Sequence, residues 1–144
     1  MALAADLVRK MQYPQPIIRN LNVAAAETIY KGAIVAIDAA GDAIAAPAAQ
    51  NEEFVGIAEE SYDNSAGAIT TGNPLQVRCS GLVEMTLAAV TDADLGKAVY
   101  YVDDETGTVT APADKTTRVG TVARVISATV AMVNLSNNWE SSLH

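Results

Sequence analysis

Short runs of alternating apolar and polar residues dominate the chain from residue 33 onward and predict β-strands. The alternation is clearest between Val83 and Leu87, where Glu84 and Thr86 face away from the apolar side chains. By contrast, the run Ile34–Ile37 is apolar throughout, which predicts a strand covered on both faces. Glycine, proline, asparagine and aspartate separate the runs, as in a small sandwich or barrel. The predicted strands are residues 33–38, 43–46, 53–59, 75–79, 82–88, 98–102, 108–111, 118–126 and 129–135.

Glycine-containing loops join several of these predicted strands. The segments Asp38–Gly41 and Asp103–Gly107 are predicted to be hairpin loops, in which glycine can adopt a positive φ. One short helical turn is predicted at residues 91–95, with Thr91 as its N-cap and Gly96 just beyond its end. The pattern therefore predicts an all-β body.

Two segments of this body repeat the same landmarks at a separation of about 64 residues. Residues 32–58 and 96–123 each contain a glycine, an apolar run ending in aspartate, a turn with glycine, an Ala-Pro-Ala triplet and a Val-Gly pair. Two copies are too few for a solenoid, so we expect a small antiparallel β-barrel or sandwich built from two related halves. The last glycine of each copy lies inside a predicted strand, which indicates a bulge or a close backbone contact. The matched landmarks are Gly32 and Gly96, Asp38 and Asp103, Gly41 and Gly107, Pro47 and Pro112, and Gly56 and Gly120.

The first 27 residues have a different pattern and are predicted to form an extended N-terminal arm. Residues 2–11 have a weak helical periodicity, which Pro14 and Pro16 interrupt. An extended apolar strip follows and includes Ile17 and Ile18. This strip is either an edge strand of its own domain or an arm that lies on a neighbouring molecule, since exposed isoleucines are unfavourable on a monomer.

The domain organisation expected is thus an arm at 1–27, a β-barrel-like domain at 28–136 and a tail at 137–144. Trp139 lies in the polar tail. It either folds back to cover a barrel end or serves as an aromatic anchor at an interface, where tryptophan is enriched.

The charge of the chain argues against two classes of partner. The formal net charge is −8, with +2 in residues 1–20 and −10 in the rest. Nucleic acids and anionic membranes are bound by clustered lysine and arginine, so neither is an expected partner. The acidity either serves solubility or attracts a basic partner surface. We find no secretion signal and no apolar stretch of the roughly 18 residues that a membrane helix needs.

Catalytic and metal-binding patterns are missing from the sequence. The only histidine is the terminal residue, His144, and the only cysteine, Cys79, is predicted to be buried on the same strand face as Leu75 and Val77. Neighbouring acidic residues on a strand point to opposite faces. The segment Asp103–Gly107 resembles part of a calcium loop, but the remaining ligand spacing is lacking, and a solvated hairpin tip is the simpler interpretation. We therefore predict no catalytic, cofactor or metal site and no enzyme activity.

The glycine and strand landmarks together resemble the capsid cement, or head-decoration, proteins of tailed bacteriophages. The resemblance covers about residues 28–135 and is carried by glycine-punctuated strands. The segments that carry it are Lys31–Val35, Phe54–Ala58, Cys79–Val83, Asp94–Asp103, Gly107–Thr110 and Val119–Ala123.

The resemblance implies a non-enzymatic virion protein that binds the outer surface of an expanded capsid and cements neighbouring major capsid subunits. It implies the major capsid protein as partner, a homo-oligomer with a trimer favoured, and assembly in the host bacterial cytoplasm. We expect the contacts with capsid or sister subunits to include Tyr13, Pro14, Pro16, Ile17, Ile18 and Trp139.

Three other interpretations stay open on sequence. The first is a head-fibre base or another minor virion protein, although 144 residues leave little room for a projecting domain. The second is a small carbohydrate-binding or metal-binding β-sandwich that uses loop carboxylates. The third is a protein that assembles into layers or tubes.

Overall fold

The computed structural model describes residues 17–47, 52–113 and 117–135, and nearly all of them lie in strands or the turns between strands. The all-β prediction is confirmed. The first seven strands are β1 (Ile18–Leu21), β2 (Thr28–Ile29), β3 (Ile34–Ile37), β4 (Ala43–Ala45), β5 (Glu53–Ala58), β6 (Tyr62–Asp63) and β7 (Leu75–Arg78). The remaining five are β8 (Gly81–Leu87), β9 (Ala98–Tyr101), β10 (Thr106–Thr108), β11 (Gly120–Ser127) and β12 (Val130–Leu135), with a 3-10 turn at Asp92–Asp94.

The strands form two halves that follow each other along the chain. The N-terminal half is a five-stranded sheet in the order β1-β7-β5-β3-β4, with a small β2-β6 sheet beside it. The C-terminal half is a closed barrel in the order β10-β8-β12-β11-β9. All pairs between strands are antiparallel except β10 with β8, which is parallel and closes the barrel.

The two halves have the same topology. In the N-terminal sheet, β3 lies between β4 and β5, and β7 lies between β5 and β1. In the C-terminal barrel, β9 lies between β10 and β11, and β12 lies between β11 and β8. The register is also the same: Val35 pairs with Gly56, and 64 positions later Val99 pairs with Gly120. The predicted construction from two related halves is therefore confirmed, and the duplication includes β1 and β8, outside the repeated segments found in the sequence.

The closure of the barrel has a counterpart in the N-terminal half. Gly107 in β10 is paired with Leu87, and Ala88 donates to the Gly107 C=O at 2.9 Å. In the N-terminal half Val23 makes a parallel bridge to Ala43, and Ala24 donates to the Ala43 C=O at 3.0 Å. These contacts are also 64 positions apart. The N-terminal sheet is thus an incompletely closed version of the same barrel.

The connection before the last strand distinguishes the halves. β7 corresponds to β12 with an offset of 56, since Ile57 pairs with Arg78 as Thr121 pairs with Asn134. The connection from β5 to β7 in the N-terminal half is therefore about eight residues longer than the connection from β11 to β12 in the C-terminal half. This longer connection carries β6.

Two sequence predictions about loops need correction. The strand predicted at 108–111 is β10 at Thr106–Thr108, so Gly107 lies in a strand and not in the hairpin loop. Its φ is not positive, in contrast to Gly41 at 87°. A side chain at Gly107 would meet Leu87, Met85 and Val99, so packing requires the glycine there.

The short turn after β8 follows the prediction. The 3-10 turn Asp92–Asp94 has Thr91 as its N-cap, and the Asp94 carboxylate accepts a hydrogen bond from the Thr91 N–H at 2.9 Å. Gly96 follows with a φ of 82°. The capping residue and the terminating glycine therefore define this turn as expected.

Apolar residues form two cores, and β3 contributes to both. Val35 belongs to the core inside the N-terminal half, together with Leu75, Val77 and Cys79. Ile34 and Ala36 point to the opposite face and join the core of the C-terminal barrel. The predictions of a strand covered on both faces and of a buried cysteine are confirmed, because each β3 face packs against a different half.

Tyr101 joins the halves at the edge of the second core. Its side chain is fully buried, and its hydroxyl accepts from the Glu52 N–H and donates to the Glu52 C=O, both at 2.8 Å. The Ile34 N–H donates to the Asp104 C=O at 2.8 Å. These contacts between backbone groups and a packed tyrosine hold the halves in one arrangement.

Candidate binding surfaces

The structure describes two of the six residues predicted to contact a partner. Ile17 packs against the N-terminal core, and its N–H donates to the Ser80 hydroxyl at 2.8 Å. Ile18 is in β1 with 44% of its surface exposed. The segment after residue 16 is therefore an edge strand of its own domain, one of the two alternatives. The other predicted contacts, at Tyr13, Pro14, Pro16 and Trp139, lie outside the described residues, and the arm and tail boundaries stay predictions.

One edge of β1 lacks a neighbouring strand among the described residues. Cys79 donates to the Ile17 C=O at 2.8 Å, so the odd-numbered residues of this strand face β7. The N–H and C=O groups of Ile18 and Asn20 must then point away from β7. On that side β4 reaches only the end of the strand, where Ala43 donates to the Asn22 C=O at 2.7 Å.

β8 has an edge of the same kind. Leu87 donates to the Thr129 C=O at 2.8 Å, so the odd-numbered residues of β8 face β12. The N–H and C=O groups of Leu82 and Glu84 point to the other side. There β10 pairs only with Thr86 and Leu87, which leaves the first part of β8 without a strand partner in the described parts of the chain.

A cleft of about 390 Å³ lies beside this edge, between the two halves. Its walls are the loop at residues 30–33 and β8, with the tip of the β9–β10 hairpin at one side. The charged residues that line it are Lys31, Glu84, Asp104 and Glu105, so its formal charge is negative. Tyr30 stands at its rim with 66% of its surface exposed.

The carboxylates of the hairpin loops are used by the loops themselves. Asp103 accepts hydrogen bonds from the N–H groups of Glu105 and Thr106 at 2.9 and 2.8 Å. Asp38, at the matching position, accepts from Ala40 and Asp42 in the same way. Such turns are made by aspartate without a metal. In residues 17–47, 52–113 and 117–135 no three metal-binding side chains come together.

Two carboxylates have pKa values below their ordinary value, Asp63 on the surface and Asp94 half-buried. The hydroxyl and the backbone N–H of Ser65 lower the pKa of Asp63, and the Lys97 ammonium lowers the pKa of Asp94 through a hydrogen bond of 2.9 Å. Both changes keep the carboxylate ionised, whereas a general acid needs a raised pKa. These groups therefore stabilise turns.

The surfaces of the molecule thus consist of open strand edges, exposed aliphatic side chains and an acidic cleft. None of the helices in the described residues is long and apolar enough to cross a membrane. A family model described as "Structural cement protein (E217 gp24/Pam3 gp6)" matches residues 2–137. The chain belongs to this phage structural cement protein family. No curated protein and no solved structure shows significant similarity to it.

The family match determines the general role of this cement protein. It is a structural phage protein that associates with the capsid of the virion. The match is longer than the resemblance noted in the sequence, which was limited to residues 28–135. It includes residues 2–27, so the family model extends over the N-terminal segment.

Sequence reasoning missed one exposed residue at a strand edge, Leu82. This leucine is 58% exposed and lies 64 positions after Ile18, at the matching place in the other half. The sequence did contain a signal for it. The similar segments Leu21-Asn-Val23-Ala-Ala and Met85-Thr-Leu87-Ala-Ala are also 64 positions apart. Extension of the repeat toward the N-terminus would have aligned Ile18 with Leu82.

Proposed function

We propose that this cement protein binds the outer surface of the expanded phage capsid and bridges neighbouring major capsid subunits. The observation that carries the proposal is a closed barrel firmly joined to a similar, incompletely closed one, both with open strand edges, in a chain of the cement family. A bridging protein must resist deformation between its contacts. The buried Tyr101 and its two hydrogen bonds to Glu52 oppose movement of one half against the other.

Many weak contacts can together stabilise a closed shell. A copy that is held at one contact meets its second contact at a high effective concentration, so two modest contacts give strong attachment. Repetition over the shell distributes the load among many copies. The proposal therefore requires surface complementarity and no reactive group.

The test is to mix the purified protein with empty expanded heads and to image them by cryo-electron microscopy. We expect ordered density on the outside of the shell, across the boundaries between capsid subunits, and a higher temperature of head disruption. Unexpanded proheads are the matched control. Absence of external density at saturating protein would refute the proposed function.

The N-terminal segment is proposed to strengthen this attachment. Residues 1–16 carry a formal charge of +1, from Arg9 and Lys10 against Asp6, on an otherwise acidic chain. Truncation should end at residue 16, because Ile17 already bonds to Ser80 and Ile18 belongs to β1. We expect the truncated protein to fold with an unchanged melting temperature and to bind heads more weakly; unchanged head binding would contradict the role of the arm.

The trimeric state also stays a prediction. Sedimentation velocity of the full chain over a range of concentrations would measure it directly, and a monomer at all concentrations would contradict it.

A further inference from the structure

We infer that the duplication provides two matching docking sites, one on the open edge of β1 and one on the open edge of β8. Each site takes an extended segment of a capsid subunit as an added strand. This inference rests on the proposed function and makes it more specific. One cement molecule would then hold two copies of the same partner segment, one on each half.

The first support is that the two edges are geometrically matched. Ile18 pairs with Arg78 and Leu82 pairs with Asn134, at corresponding positions of the two barrels. In both strands the even-numbered residues direct their N–H and C=O groups away from the neighbouring strand. In both halves, a parallel contact lies C-terminal to the open edge. It joins Val23 to Ala43 in the N-terminal half and Leu87 to Gly107 in the C-terminal half.

The second support is that both edges have an exposed aliphatic side chain at the same position. Ile18 is 44% exposed and Leu82 is 58% exposed. An isolated exposed aliphatic residue needs no explanation. Two at matching positions, each beside unpaired strand groups, fit the requirements of strand addition, in which main-chain bonds give affinity and side-chain contacts give specificity.

The charge of the surroundings indicates which occupant fits the β8 edge. Glu84 lies in the edge itself, and Asp104 and Glu105 line the adjoining cleft against a single Lys31. A segment with a basic residue is therefore favoured. A second copy of this chain is disfavoured, because antiparallel pairing of two β8 edges about Glu84 would bring identical carboxylates together and both copies carry a charge of −8.

Proline substitutions can block each edge separately. Asn20→Pro and Glu84→Pro remove an N–H that points away from the neighbouring strand, and proline is tolerated at such positions of edge strands. Asn20→Ala and Glu84→Ala remove the same side chains but keep the N–H, so the difference between proline and alanine at each position isolates the backbone contact. Should a proline variant fail to fold, Ile18→Lys and Leu82→Lys change the exposed side chain of the same edge without changing the backbone.

The experiment measures binding of these full-length variants to empty expanded heads by co-sedimentation. We expect each proline variant to lose roughly 100-fold in apparent affinity, because it loses the advantage of a second tethered contact. The double variant should not bind detectably. Neither single proline variant should raise the temperature of head disruption, because one site cannot bridge. Asn20→Ala should raise it as the wild type does, and Glu84→Ala should raise it by less, because it lacks the carboxylate that favours a basic segment.

The outcomes separate this inference from the proposed function. If the wild-type protein fails to bind heads, the proposed function is wrong and the inference fails with it. If the wild type binds and both proline variants bind equally well, the inference alone is wrong. A wild-type dimer in solution that Glu84→Pro dissociates would instead assign the edge to a second copy. Stronger head binding after removal of residues 1–16 would assign an edge to the chain's own N-terminal segment. Either of these two results would overturn the inference.

Discussion

Alanine at Gly56 or Gly120 tests the close approach of strands that is common to both halves. A Cβ at Gly120 would overlap the C=O oxygen of Asn134, and one at Gly56 would overlap the C=O oxygen of Arg78. Both acceptors are backbone atoms in a paired strand, so they cannot rotate away as a side chain can. Forcing a methyl group into a packed site costs about 1–3 kcal/mol, and we expect the upper end, about 3 kcal/mol, at both positions.

The chain supplies matched controls in Gly32 and Gly96. Their φ angles are 87° and 82°, but a Cβ at either position would meet no atom within 4 Å. Alanine there would cost only the left-handed backbone, roughly 1–2 kcal/mol. The loss of stability at Gly56 and Gly120 thus reports steric overlap, and the loss at Gly32 and Gly96 reports backbone strain. Each half of the molecule contains one position of each kind.

Thermal unfolding followed by circular dichroism is a sufficient assay. For a chain of this length about 1 kcal/mol lowers the Tm by about 3 °C, so we expect losses of roughly 10 °C for Gly56→Ala and Gly120→Ala. The controls should lose about half as much. If the alanine variants at Gly56 and Gly120 melted no lower than those at Gly32 and Gly96, the strands would not be in close contact, and the reasoning would be refuted.

Three further predictions concern single side chains. Tyr101→Phe should lower the free energy of unfolding in urea by about 1–3 kcal/mol, because it leaves the backbone groups of Glu52 without their partner; an unchanged value would mean that water replaces the hydroxyl. Asp94→Asn should reduce stability at neutral pH. Because Lys97 lowers the folded-state pKa of Asp94 below the ordinary value of 3.8, this contribution is fully present above that pH and is lost as the pH falls through the lowered pKa. A variant difference that persists unchanged at pH 2 would contradict this assignment. Cys79 is buried and reduced, so a thiol reagent should label it only at the rate of unfolding, and rapid labelling of the native protein would contradict its burial.

Several features of the fold follow directly from local sequence. The alternation from Val83 to Leu87 predicts β8 because only the core-facing residues must be apolar, and Met85 and Leu87 are indeed buried while Glu84 is exposed. The uninterrupted apolar run of β3 predicts burial on both faces for the same reason. In both cases the residues of the strand itself are sufficient to predict the strand and the faces that it buries.

Other features depend on partners that are distant in sequence. Gly107 looks like a turn glycine beside Asp103, but the side chains of Met85 and Leu87 determine its position in β10. β2 and β6 have only two residues each and depend on pairing across about 33 residues, so no periodicity could reveal them. The candidate docking edges were hidden for a related reason. Only the pairing of strands shows which N–H groups lack a neighbouring strand. In addition, the separation between matching residues of the two halves changes from 64 to 56 positions before β7 and β12, which hides the repeat in this part of the sequence.

The way in which the halves pack explains why both edges stay available. The outer face of β3 and β5 in the N-terminal half presents Ile34, Phe54 and Ile57 to the second core, and all three are buried. At the corresponding positions, 64 residues later, the C-terminal half has Ala98, Arg118 and Thr121. The two halves therefore contact each other through different faces. Such a contact has no two-fold axis, and the matching edges of the two halves do not lie against each other.

A head-to-tail contact of this kind can continue to a third barrel. The polar Arg118 and Thr121 oppose that continuation, as the polar outer face of a terminal repeat does in repeat proteins. Because the halves join through unlike faces, β1 and β8 do not pair with each other, and one rigid body carries two similar edges, with the β8 edge beside the cleft between the halves.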